Sequence, residues 1–291
     1  MPTRRDFLRL SALATAAGCT LGRIPSAFAA EAPFIYGVQL YMVRKEAPQD
    51  LPGILHAIRQ VGFTQIELFP IVYTHPAPEL RRIVADSGLG LVSAHFDYAS
   101  VPTKIDYAHQ LGLEYMVCPM IPKDQWNLDG FHKAADDFNT WGHSVHDAGM
   151  QFVFHNHCYE FAPQATTTDG TTTGFDELMK HTDPALVKLE FDMYWLAQAG
   201  QDPLTMLTRY ANRVCLLHLK DRIANAPTGF VMGPTAKHIT EMGKGTLNWP
   251  AIFAEAHKQG IRYAYLDQDD TTLPILDSLK ENFAYLQTIK A

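Results

Sequence analysis

The stretch Gln151-Phe152-Val153-Phe154-His155-Asn156-His157-Cys158-Tyr159-Glu160-Phe161 is a short apolar run that stops in imidazole, amide and carboxylate groups. Three later stretches have the same form: Leu189-Glu190-Phe191-Asp192, Leu216-Leu217-His218-Leu219-Lys220-Asp221, and Tyr265-Leu266-Asp267-Gln268-Asp269-Asp270. Each reads as a buried strand whose end carries metal-capable side chains. Several such ends in succession point to a site on one rim of a parallel barrel.

These four stretches belong to apolar runs at Gln151 to His155, Val187 to Asp192, Val214 to Leu219 and Tyr263 to Asp267, and further runs occur at Ile35 to Leu40, Thr64 to Phe69, Gly90 to His95 and Tyr115 to Pro119, which makes eight strands. Amphipathic stretches lie between them. Leu51 to Val61, Pro78 to Ser87, Phe131 to Ala148, Phe175 to His181 and Pro250 to Gln259 place apolar residues at helical spacing. Gly62, Gly90, Gly149 and Gly260 punctuate the helix ends. Near-continuous apolar strands alternating with helices imply an α/β fold with a parallel sheet, and eight units close into a single (β/α)8 TIM barrel. An open doubly wound sheet would carry a glycine-rich phosphate loop after its first strand. Here that strand runs into Gln39-Leu40-Tyr41-Met42-Val43-Arg44. The long inserts Ala162 to Gly174 and Ile223 to Gly245 follow strands five and seven, where loops shape the functional face of a barrel.

The first 29 residues read as a segment to be removed. Thr3-Arg4-Arg5-Asp6-Phe7-Leu8-Arg9 has the form of a twin-arginine export signal, Ser11 to Thr20 is too short to span a bilayer, and Ala27-Phe28-Ala29 offers a small-residue cleavage site. A lipoprotein cut before Cys19 is the weaker alternative. The expectation is a periplasmic barrel over residues 30–291. Cleavage after Ala29 removes Arg4, Arg5, Arg9, Arg23 and Asp6, leaving 20 Lys and Arg against 30 Asp and Glu and moving the net charge from −7 to −10. That balance argues against a nucleic acid or an anionic membrane as partner. Cys118, Cys158 and Cys215 remain, an odd number with no paired metal spacing, so no disulfide framework is expected.

Glu160, Asp192 and His218, with Asp267 or Gln268 as one more oxygen donor, form a ligand set for a divalent ion. Oxygen dominance puts Mn2+ ahead of Mg2+, Co2+ or Zn2+. Glu67 and His95 end strands two and three and face the same rim. Glu67 is a candidate for a substrate hydroxyl or for support of the ligands, and His95 for the substrate or its developing negative charge. Of Asn156 and His157, one faces the site and the other packs. Lys220 neutralises an oxyanion or pairs with Asp221. Tyr41 and Trp195 offer ring faces to a sugar. Glu190, two residues before Asp192, sits deeper on the same side of its strand.

These segments together resemble the sugar phosphate isomerase/epimerase family, the xylose-isomerase-like barrels. The likeness is carried by Gly37 to Arg44, His155 to Phe161, Asp192-Met193-Tyr194-Trp195 with Ala199 to Pro203, and His218-Leu219-Lys220-Asp221 with Gly243-Lys244-Gly245 and Trp249. The resemblance implies Glu160, Asp192 and His218 as metal ligands, and a Glu at the end of strand eight where this chain has Asp267. It also implies a metal-polarised carbonyl, an enediolate, and proton transfer by two carboxylates, here Glu160 and Asp267, with His95, His157 and Lys220 at the oxyanion. The leading expectation is an isomerase or epimerase acting on a neutral keto-sugar or polyol. A lyase or hydrolase eliminating from a keto-glycoside through the same enolate is the first alternative. A non-catalytic periplasmic carbohydrate-binding protein is the second.

Overall fold

The computed structural model describes residues 34–167, 170–233 and 237–289; the proposed signal segment and Cys19 lie outside these residues. Eight strands, β1 Ile35–Gln39, β2 Gln65–Leu68, β3 Gly90–His95, β4 Tyr115–Cys118, β5 Gln151–His155, β6 Val187–Asp192, β7 Val214–Leu219 and β8 Tyr263–Leu266, pair in parallel in chain order. Pairing of β8 with β1, Tyr265 opposite Gly37, closes the barrel. The TIM barrel expected from the sequence is the observed fold.

Nine helices surround the described barrel: α1 Leu51–Val61, α2 Ala77–Asp86, α3 Ile105–Leu111, α4 Leu128–Asp147, α5 Gly174–His181, α6 Met193–Gln198, α7 Pro203–Arg209, α8 Trp249–Lys258 and α9 Ile275–Leu286. Side-chain caps fix several starts. Asp50, Asn127, Asp202 and Asn248 accept from backbone N–H groups in the first turns of α1, α4, α7 and α8, and Thr173 with Asp176 forms a capping box on α5. The stripes Leu51, Ile54, Leu55, Ile58 on α1 and Ile252, Phe253, Ala256 on α8 are buried against the strands.

Inside the barrel, Val117, Val153, Leu216, Tyr263 and Tyr265 form a separate apolar cluster. Gly37 makes room for it: a Cβ there would strike the Tyr265 ring. Above this layer the inward positions turn polar, with Gln39, Glu67, His95, His155, Glu190 and His218 all buried.

The two long inserts carry structure of their own. Pro163–Thr167 pairs antiparallel with Gly170–Thr173, and Asp221–Arg222 pairs with Ile239–Thr240. Asp221 organises the second insert. Its carboxylate accepts from the N–H groups of Arg222, Gly243, Gly245 and Leu247 and from the Trp249 indole, at 2.8–3.2 Å. Gly243 has φ +81°, and a Cβ on Gly245 would strike the Asp221 carboxylate, so both glycines are required by this loop. Among the described residues no helix is long and apolar enough to cross a membrane.

Candidate metal centre and active site

The strand ends converge above the apolar plug. His218 Nε2 lies 2.6 Å from Glu67 Oε2 and 3.1 Å from Glu190 Oε2. His95 Nε2 meets the same two oxygens at 3.3 and 2.9 Å, and His155 Nδ1 reaches Glu190 Oε2 at 3.1 Å. Gln39 Nε2 donates to Glu67 at 2.8 Å and the Ser93 hydroxyl donates to its other oxygen. On its opposite edge, His218 Nδ1 lies 3.1 Å from Asp267 Oδ2. Lys220 Nζ then sits between Asp192, Asp267 and Asp269, at 2.9, 2.8 and 2.9 Å.

Two overlapping groups have donor atoms close enough to share one ion: His95, His155, Glu190 and His218, and, nearer the mouth, His155, Asp192, His218 and Asp267. Glu67, Glu190, Asp192 and Asp267 are all buried, and the one buried lysine among them is Lys220. Asp267 Oδ1 and Glu190 Oε1 are buried without a hydrogen-bond partner. Buried carboxylates in such excess, with acceptors left over, fit a divalent cation.

The same crowding sets the proton affinities of the ion-free site. Burial alone would lower the His95 pKa, but Glu67 and Glu190 raise it to about 9. Burial opposes the charge of His218 and of Lys220 too, and their carboxylate neighbours raise both well above their usual ranges. Asp267 is held below the carboxylate range against burial by Lys220 and His218. His157, buried and facing the Lys220 charge, falls to about 3. Burial pushes Asp269 up to about 7 despite Lys220 beside it, and it raises Glu160 to about 8.

A cavity of about 230 Å³ opens onto these groups. Gln39, His95, Asp97, His155, His157, Asp267 and Asp269 form its polar wall, and Tyr41, Phe69, Pro119, Met120 and Met232 its apolar wall.

The structure thus brings together Asp192, His218 and Asp267 from the expected ligand set, with His95, His157 and Tyr41 on the lining. It places other expected residues elsewhere. Glu160 belongs to neither donor group; it lies in the turn Tyr159–Phe161, five residues beyond β5, with its carboxylate capping the His157 N–H at 3.0 and 3.1 Å. Gln268 points outward to α9, its amide oxygen accepting from Asn282 Nδ2 at 3.0 Å. Asn156 accepts from the Asp192 N–H at 3.0 Å and so steadies the end of β6. Glu67 anchors His218 and His95, Lys220 is enclosed by three carboxylates, and Trp195 packs on His157 with ring centroids 5.4 Å apart. None of these six lines the cavity. Sequence reasoning did not single out His155, which belongs to both groups of donor atoms close enough to share an ion. Its signal was available: His155 shares strand parity with inward-facing Val153.

The family profile described as a xylose isomerase-like TIM barrel matches residues 55–288. This chain belongs to that family. An inosose dehydratase of Clostridium beijerinckii is 33% identical over 138 residues, covering 45% of this chain and 42% of that protein. An inosose dehydratase of Geobacillus kaustophilus is 27% identical over 215 residues, covering 59% and 65%. The chain spans about half the length of the curated relatives it matches. A crystal structure of a sugar phosphate isomerase/epimerase from Parabacteroides distasonis superposes with a TM-score of 0.71 at 27% identity, covering 89% of this chain and 95% of that one. The family resemblance read from the sequence is therefore established. The relatives by sequence named here are dehydratases, while the superposed structure is that of a sugar phosphate isomerase/epimerase.

Proposed function

We propose that this protein is a divalent-metal-dependent lyase that forms an enolate from a neutral keto-polyol or keto-sugar and expels water or an alcohol from the neighbouring carbon. The observation that carries this reading is a cavity that opens beside the two donor groups, with His157 and Asp269 on its polar wall. His157 is neutral at physiological pH and its buried Nδ1 lacks a partner, whereas Asp269 holds its proton to about pH 7. A basic group on the lining takes the proton next to the carbonyl, the carbon–oxygen bond to the leaving group breaks, and Asp269 supplies the proton to the departing oxygen. The dehydratase relatives support the same reaction type.

A divalent ion held by His155, Asp192, His218 and Asp267 would supply Lewis-acid polarisation of the carbonyl and its adjacent hydroxyl. With His155 in place of Glu160, two imidazoles and two carboxylates make Zn2+ as well suited as Mn2+. Among the described residues the cavity wall carries Asp97, Asp267 and Asp269 and no Lys or Arg, which favours a neutral substrate over a sugar phosphate.

An isomerase or epimerase built on the same enolate is the second reading. In its favour, Asp97 and Asp267 both lie on the lining and could serve as two bases. The deciding experiment incubates the metal-loaded protein with keto-polyols and keto-glycosides in heavy water. Elimination gives an unsaturated ketone with new ultraviolet absorbance. Deuterium incorporation with retained composition identifies epimerisation. Metal-independent sugar binding with neither result would leave only the carbohydrate-binding reading. We also propose export to the periplasm through the twin-arginine segment.

A further inference from the structure

A second cluster of metal-capable side chains lies on the outside of the barrel, between α4 and α5. His132 Nε2 is 2.7 Å and His181 Nε2 is 3.2 Å from the same oxygen of Glu177, Oε2. The two imidazoles stand edge to face, with ring centroids 4.9 Å apart. All three donor atoms lie within 4.8 Å of one another.

We propose that His132, Glu177 and His181 form a second divalent-cation site, of Zn2+ type, separate from the barrel mouth and independent of the reaction proposed there. Two imidazole nitrogens and a carboxylate are a zinc donor set with one coordination position left for water. Zinc bonds of about 2.0–2.1 Å in tetrahedral geometry place donors roughly 3.3 Å apart. The His181 contact already has nearly that spacing, and the His132 contact opens by roughly half an ångström. Glu177 and His181 are one helical turn apart, so α5 presents both to the same side, and His132 completes the set from α4.

The second oxygen of Glu177 is also fixed. The Thr172 hydroxyl donates to Oε1 at 2.9 Å, the kind of outer contact that orients a ligating carboxylate. Glu177 is buried, while the two imidazole side chains are 42% and 43% exposed, so solvent can deliver the ion. Thr172 belongs to the hairpin that follows β5 and the Glu160 turn. An ion at this site pins α5 and that hairpin to α4, so it acts as a staple on the loop nearest the strand-five end.

The test counts zinc per chain after equilibrium dialysis of the full-length protein. Wild type should hold one equivalent more than His132→Ala and His181→Ala. The variant His218→Ala/Asp192→Asn, altered only at the mouth, should keep that outer equivalent. Cobalt titration of this double variant should give visible bands of a tetrahedral ion, absent when His132→Ala is added. Equal zinc content in wild type and both outer variants would overturn the proposal, as would a mouth variant that takes up no cobalt. A mouth that binds nothing while the outer equivalent persists would refute only the reading of the barrel site.

Discussion

His218 and Glu67 meet across the barrel, Nε2 to Oε2, at 2.6 Å, although their strands β7 and β2 are not neighbours in the sheet. The contact fixes the ring of the histidine whose other nitrogen faces Asp267. Glu67→Gln removes the charge and keeps the shape. It is expected to weaken metal binding about 10- to 100-fold, the usual effect of losing a partner behind a ligating histidine. Titration of the ion-free variant with Zn2+ or Mn2+ checks this, and unchanged affinity would remove Glu67 from that role.

The ligand set separates His155 from Glu160. His155→Ala should lose most of the bound ion at the mouth, as should His218→Ala and Asp192→Asn. Glu160→Gln should retain it, because its carboxylate caps the His157 N–H instead. Metal analysis of these variants against wild type decides the matter. Loss in Glu160→Gln with retention in His155→Ala would restore the ligand assignment that the family resemblance implies.

Stability of the ion-free protein should fall between pH 6.5 and 9. His95 has a folded pKa of about 9 against an ordinary 6.5. Its contribution is complete below 6.5 and is lost as pH rises through 9. Glu160, raised to about 8, and Asp269, raised to about 7, have the same sign and are lost on the way up. His157, lowered to about 3, is neutral in both folded and unfolded chains above 6.5 and adds no slope there. Thermal melts in chelator at pH 6.5 and 9 measure the difference. A flat or rising melting temperature would count against the charge pattern described for the mouth.

Asp221→Asn should destabilise the chain by about 1–3 kcal/mol, because one amide cannot accept from five donors and leaves some buried N–H groups unpaired. Urea unfolding is the measurement. A change below about 0.5 kcal/mol would mean that the insert after β7 does not depend on this carboxylate.

Export is tested in the cell. Replacing Arg4 and Arg5 together by Lys should leave the protein in the cytoplasm, and undiminished periplasmic accumulation would defeat the twin-arginine reading.

The barrel was legible because buried parallel strands announce themselves as apolar runs; all eight were placed with ends within a residue or so. The helices α3, α6 and α7 went unread because six or seven residues leave little periodicity to recognise, whereas α9 places Ile275, Leu279, Phe283 and Leu286 at helical spacing, a signal the sequence carries and the reading omitted. Within the site, legibility followed strand parity. Asp192 and His218, on strands, face inward, and Asp267, one residue past β8, continues that parity. Gln268 comes one residue later and faces α9, a reversal that period-two alternation foretells. Glu160 lies beyond the reach of parity, in a turn whose direction comes from its hydrogen bond to the His157 N–H rather than from the strand.

Tyr265, pressed against Gly37 and wholly buried, closes the barrel floor beneath the histidines. The reaction chamber is consequently a cul-de-sac, with no rear exit. On the proposed reaction, substrate arrival, departure of the expelled fragment and discharge of the remaining product would all use the open side of the cavity that Tyr41 and Met232 help to line. Order then follows from traffic: whichever fragment forms nearer the threshold leaves first, and the deeper one waits behind it.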